Sequence, residues 1–185
     1  MFIAHVPGGL LLTRQLLREH RTQRYFLPFL AIGLLASIAP DLDLLYFYTI
    51  DHHRHLHHSY WTHIPMFWLL LYLFLLAPVW RLYRNHGLLL LNIIFLNITL
   101  HLLLDSFAGG IKWLYPVDPE YFRLFHITKR FNWWVANYLI HWTFLCELGI
   151  TFSAALTVYK DPLLGGWLAR FLPQRCAPVR TRPHN

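Results

Sequence analysis

Charge is what this sequence has least of. Only 14% of its 185 residues are Asp, Glu, Lys or Arg, while 56% are hydrophobic, 17% are aromatic and mean hydropathy is +0.37. Soluble domains carry about 25% charged residues, so this balance argues against a water-soluble enzyme and against a disordered chain. Cysteine is nearly missing as well. Cys146 lies in an apolar run and Cys176 in a polar tail, which leaves neither a disulfide framework nor a Cys-type zinc site. Acidic residues number 9 against 16 Lys and Arg, a formal charge of +7. The basic residues sit in short clusters between apolar runs, as topology signals and contacts for anionic lipid headgroups do, so no nucleic-acid partner is expected. Residues 1–9 lack the basic region and cleavage site of a signal peptide, and no segment is expected to be removed. Beyond one His-rich stretch there is no repeat or low-complexity tract.

What is present is apolar length. Residues 64–80, 87–104 and 138–159 are free or nearly free of formal charge, and each is close to the roughly 20 residues that cross a bilayer as helix. A fourth run, 25–39, ends at Pro40, which cannot continue a helix from within. Trp and Tyr gather near the run ends, among them Tyr46, Tyr48, Trp61, Trp80, Trp113 and Trp133, as amphipathic rings do at headgroup level. Lys and Arg in alternate connections divide unevenly. Arg14, Arg18, Arg21, Arg24, Arg81, Arg84, Lys160, Arg170, Arg175, Arg180 and Arg182 fall in one set, and Arg54, Lys112, Arg123, Lys129 and Arg130 in the other. The richer set should be cytoplasmic. The fold class predicted is therefore all-α, a polytopic transmembrane bundle of about four or five helices. Residues 1–24 form a helix packed into it, residues 1–172 make one membrane-embedded domain, and 173–185 are a flexible basic tail.

Three clusters could carry chemistry. Asp41 and Asp43 follow Pro40 directly, and on an extended turn this spacing would point both carboxylates to one side to grip a hard cation. A polar helix terminus is the plainer reading. Residues 51–63 hold six of the 13 histidines. Such a tract can simply be solvated, so position matters more than number. His63, between Thr62 as an N-cap and Pro65 in a first turn, should be fixed at the start of a span, with His58 folding back towards it. His52, His53, His55 and His57 are weaker candidates. His101 and Asp105 stand four apart on one helical face, with Asn97 a turn earlier as a supporting partner. Ionisable groups deep in a membrane run are costly and usually functional. His5 alone, and His141 with Glu147, are ambiguous. Under the topology above the three clusters reach one membrane face. Their mixed His and carboxylate chemistry suits zinc, manganese or iron, and their number suggests more than one ion, an arrangement suited to displacement at phosphorus.

The succession of His5 to Gly9, Pro40-Asp41-Leu42-Asp43, His58-Ser59-Tyr60-Trp61-Thr62-His63, His101-x-x-x-Asp105 with a following Gly, and Tyr115-Pro116 resembles the membrane-bound metal-dependent hydrolase family, the YdjM family. The likeness covers roughly the first two thirds of the chain. In that family the pattern usually reads His-Arg before Thr-His and Ser after it, where this chain has His58-Ser59 and Ile64. The family is distantly similar to zinc-dependent phospholipases C and related nucleases. The resemblance implies metal ligands at His5, Asp41, Asp43, His58, His63, His101 and Asp105, with Asp41 or Asp43 as acid or base. It also implies phosphoester hydrolysis with zinc as the first choice of metal, a lipid or lipid-linked substrate, and a multi-pass place in a bacterial inner membrane. The competing expectation is a non-catalytic metal carrier or sensor that collects ions on His52 to His58.

Overall fold

The computed structural model describes residues 3–52 and 54–165, with only the backbone of Trp134. The tail expected at 173–185 and His53 lie outside the described residues. The described chain is all-α. Helix α1 covers His5–Leu16, α2 Phe26–Ala36, α3 Asp43–Thr49, α4 Pro65–Asp105, α5 Trp134–Ile140 and α6 Thr143–Lys160. Short 3-10 turns occupy Pro40–Leu42, His57–Ser59 and Trp61–His63. Helix α1 is central, packing against α2, α4 and α6, so the expectation of a helix packed into the bundle holds. Its glycines make that possible: a Cβ on Gly9 would lie 2.5 Å from the Ser37 Cβ, too close for any other residue without displacing α2.

Helix α4 spans 41 residues but is not one rod. Arg84 has φ 53° and ψ −141°, outside helical space. A straight helix would hold residues 72 and 92 about 30 Å apart. Instead the Tyr72 hydroxyl donates to Asn92 Oδ1 at 2.8 Å, and the Tyr72 ring stacks on Phe95 at 4.4 Å. The chain therefore reverses at Arg84. Limbs 65–83 and 85–105 correspond to the runs expected at 64–80 and 87–104. Pro65 opens the first limb at a position where its missing N–H costs nothing. Thr62 does not cap it, contrary to expectation: its hydroxyl donates to Asp43 instead.

Helix α4 is long and apolar enough to cross a membrane. Helix α2 joined to residues 40–49 through a 56° bend meets the same test as one broken span. The run expected at 138–159 is not continuous, because the chain leaves helical geometry at His141, where the Nδ1 atom meets the Thr143 hydroxyl at 2.9 Å. Helix α6 alone, carrying the buried Glu147, does not meet the test. Large apolar side chains cover the outside: Leu70, Leu73, Phe74 and Trp80 on the first limb of α4, and Leu145, Phe152 and Tyr159 on α6, are all exposed. Contiguous apolar surface of this extent marks contact with lipid or another protein.

Two small cores divide the bundle along its length. Leu17, Phe26, Leu30, Ile93 and Leu164 form one, and Ala36, Ile98, Leu102 and Ile111 the other, with Trp68 and Trp113 packed on the second. Beyond the first core the chain is basic. Buried Asp161 binds Arg14 Nε at 2.9 Å and Arg21 Nη2 at 2.5 Å, and the Tyr25 ring meets His86 edge-on at 5.0 Å. Beyond the second core lie the histidines and aspartates. Arg14 and Arg21 thus gather on Asp161, apart from the His/Asp clusters.

Candidate metal centre

The reversal at Arg84 decides the geometry of this end. In an unbroken helix the start and the last turns of α4 would be more than 50 Å apart, yet the His63 and His101 ring centroids are 5.6 Å apart. The hairpin brings both beside the bend after α2, which supplies Ser37 and Asp41.

Each of three histidines is oriented by its Nδ1 atom. His101 Nδ1 lies 2.8 Å from the Ser37 carbonyl oxygen, and His58 Nδ1 lies 3.1 Å from that of Gly110. A carbonyl can only accept, so both rings donate from Nδ1. His63 Nδ1 donates to Asp43 Oδ2 at 2.9 Å, an oxygen that Thr62 also binds. All three rings then turn Nε2 towards Asp105. Asp105 Oδ2 is 3.1 Å from His101 Nε2, 3.6 Å from His58 Nε2 and 3.7 Å from His63 Nε2. Asp41 Oδ1 is 3.6 Å from His101 Nε2 and 3.7 Å from His63 Nε2. The Nε2 atoms of His63 and His101 are buried and have no hydrogen-bond partner.

An imidazole Nε2 and a carboxylate oxygen 3 to 4 Å apart are held together by a cation between them, either a proton on the ring or a metal ion that takes its place. Asp41, His63, His101 and Asp105 have ligand atoms within 4.8 Å of one another, and so do His57, His58 and His63. These two groups can each coordinate a divalent ion, and they share His63. The hydrogen bonds behind His58, His63 and His101 are the outer-shell contacts that fix tautomer and ring angle in metal sites.

The remaining expected residues take other places. Asp43 stands outside both groups. Residues 40–49 are helical rather than extended, yet both carboxylates reach the same rings: Asp41 Oδ1 faces His63 Nε2 and His101 Nε2, while Asp43 holds His63 Nδ1 from behind. His5 is also outside both groups; its Nε2 lies 3.2 Å from Asp105 Oδ1 and its ring stacks on His101 at 3.9 Å. Asn97 does not support the cluster, since its amide donates to Thr13 Oγ1 and the Ile93 carbonyl, both at 2.8 Å. His55 pairs with Asp51 at 2.6 Å, away from the cluster. Glu147 accepts from the Ile3 backbone N–H at 2.5 Å.

His57 was the residue least visible in the sequence. Its Nε2 lies 3.1 Å from Asp41 Oδ1 and its Nδ1 3.0 Å from Asp43 Oδ1, so the ring bridges the two carboxylates. Burial opposes its charge, but the two carboxylates prevail and raise its pKa to about 9. Burial pushes the His58 pKa down to about 4, against the opposing pull of Asp105. One signal existed: adjacent residues in a 3-10 turn point about 120° apart, so neighbouring histidines can straddle one site. Gly109 admits His58 to it. A Cβ there would fall inside contact distance of His58 Cε1.

An all-α fold with an apolar membrane-crossing helix and a buried His/Asp cluster able to hold a divalent cation defines an integral membrane protein with a candidate metal centre. The chain belongs to the YdjM inner membrane protein family, whose sequence pattern matches residues 1–167. No curated protein and no solved structure matches it.

Proposed function

We propose that this protein is a multi-pass inner-membrane hydrolase that cleaves phosphoesters with metal-activated water. The observation that carries this reading is the gathering of Asp41, His63, His101 and Asp105, with ligand atoms within 4.8 Å of one another, beside the second group of His57, His58 and His63. Asp41, His63, His101 and Asp105 would hold one ion, with His57 and His58 completing a second position beside His63. A divalent cation bound there would bring the pKa of a water near neutrality and offset negative charge developing at phosphorus. Nitrogen and oxygen ligands without thiolate suit zinc, then manganese or iron.

The chain's own residues supply orientation and a place for the proton. Ser37, Asp43 and Gly110 hold His101, His63 and His58 in the tautomer that leaves Nε2 free. Asp41, about a quarter exposed, is the carboxylate of the ion-binding group that is open to solvent, and it is the best-placed group to take a proton from water. A groove of about 800 Å³ adjoins the cluster through Asp43 and Thr62, lined also by Leu42, Tyr46, Trp61 and Trp68. Its mixed apolar and polar walls suit an amphipathic, lipid-linked phosphoester. With the basic clusters cytoplasmic, the cluster end faces the outside of the membrane, and the hairpin of α4 together with the bent α2 span would make the chain multi-pass.

Metal analysis of detergent-purified protein, alongside a panel of mono- and diester phosphates, tests this reading. We expect a bound divalent ion and turnover that is lost with chelation. Metal without turnover of any phosphoester would sink the hydrolase. The carrier or sensor reading rests on His52, His53 and His55, of which His55 has a 67% exposed side chain. If replacing those three together empties the protein of metal, that reading takes its place.

A further inference from the structure

The connection after α4 carries a basic face that the cluster itself does not use. Ile111 and Phe122 form an antiparallel bridge, exchanging N–H···O bonds of 2.9 Å in both directions. Side chains alternate along such a ribbon. Ile111, Trp113, Phe122 and Leu124 share one face: Ile111 is fully buried, and the other three line an apolar groove with Leu100, Leu103 and Leu104 of α4. Lys112, Tyr121 and Arg123 share the other face. The Lys112 ammonium lies 4.7 Å from the Tyr121 ring centroid and 5.8 Å from that of Tyr115. Arg123 lies over Gly110, where a Cβ would meet its Nε at 3.7 Å. Gly110, at φ +78°, gives its carbonyl to His58 Nδ1. One residue therefore links the basic face to a ring of the cluster.

We propose that Lys112 and Arg123 form an anion subsite that binds a phosphate group beside the His/Asp cluster. Two further observations support it. Among the described residues neither cation makes an ion pair with a carboxylate: of the acids of the same connection, Glu120 is exposed, and half-buried Asp118 accepts from the Glu120 backbone N–H instead. Lys112, Arg123, Lys129 and Arg130 are also four of the five basic residues outside the cation-rich connections, and all lie between α4 and α5. Cations there oppose the topology signal, and a guanidinium with an ammonium on one face match a phosphate that enters the cluster from that side. The inference rests on the hydrolase reading for the phosphate's being part of a substrate, and stands without it as a statement about anion binding.

The test uses full-length, metal-loaded protein in detergent, titrated with inorganic phosphate by calorimetry. A second arm measures phosphatidylglycerol against phosphatidylcholine in nanodiscs. Arg123→Gln should weaken phosphate binding about tenfold or more and Lys112→Gln severalfold, while Lys129→Gln and Arg130→Gln leave it unchanged and all four keep their metal. Binding of phosphatidylglycerol alone, lost in Arg123→Gln, would identify a lipid headgroup as the source of the phosphate; binding of the inorganic ion would identify a free or water-soluble ester. Unaltered affinity in both arms for the Lys112→Gln, Arg123→Gln double variant overturns the subsite. If Arg123→Gln loses metal, Arg123→Lys must restore both metal and part of the binding, or the proposal fails. With a hydrolysed ester, the variant should raise KM and leave kcat within about threefold. Turnover with unchanged KM defeats the subsite and spares the hydrolase, whereas Arg123-dependent phosphate binding without turnover does the reverse.

Discussion

Replacing Asp105 with Asn changes one charge and almost no volume at the point where the most ligand atoms meet. Asp105 Oδ2 lies 3.1 to 3.7 Å from the Nε2 atoms of His101, His58 and His63, so a cation held by those rings sits within about 4 Å of the carboxylate. At that distance, with an effective dielectric constant near 20, one pair of unit charges interacts by about 4 kcal/mol. A divalent ion doubles the term, and water or the remaining ligands recover part of it. The expected loss is about a thousandfold in metal affinity. The metal-free fold should not suffer. An Asn keeps an acceptor oxygen and offers an amide to His5 Nε2 and His101 Nε2, the rings that meet Asp105 at 3.2 and 3.1 Å. We therefore expect Asp105→Asn to lose its metal to a competing chelator that leaves the wild type loaded. Its metal-free melting temperature should be equal to or above that of the metal-free wild type. Elemental analysis after dialysis and circular dichroism in detergent read the two quantities. Retention of metal within about threefold of wild type would refute the assignment of the cluster as a cation site.

Proton release gives a second prediction. With its pKa raised to about 9, His57 is charged at pH 7 in the metal-free protein, whereas His58, lowered to about 4, is neutral. Metal uptake through the His57 group at pH 7 should release a proton from His57 and none from His58, and calorimetry in buffers of different ionisation enthalpy should show the release vanish above about pH 9. In the metal-free protein the contacts of charged His57 with Asp41 and Asp43 stabilise the fold fully below the ordinary histidine value near 6.5, and that stability should fade as pH rises through about 9. Gly109→Ala should push His58 out of its hydrogen bond with Gly110 and reduce metal content, while the hairpin of α4 still forms; unchanged metal content would mean that His58 is not needed. A reporter fused after Arg182 should read cytoplasmic and one inserted near His53 external, and the reverse pattern would turn the cluster towards the cytoplasm.

Much of this protein was determined by its sequence alone. The scarcity of charge required helices with apolar surfaces, and the spacing of His101 and Asp105 placed both on one face of α4 whatever the rest of the chain did. Tertiary structure decided what local pattern could not. Separate apolar runs at 64–80 and 87–104 already implied a connection between two spans, but only the structure set the reversal at Arg84, a non-glycine residue at positive φ, and the 5.6 Å between the His63 and His101 rings. The path of residues 40–49 is helical where the sequence allowed an extended turn, and it still brings Asp41 and Asp43 to the same two rings, His57 and His63. His57 gained its place between those carboxylates, and His58, His63 and His101 their fixed tautomers, from Ser37, Asp43 and Gly110. Such partners lie up to 64 residues away from the rings they hold. Hydrogen bonds and ion contacts are satisfied in space, and spacing along a chain reports them only when both partners share one helix.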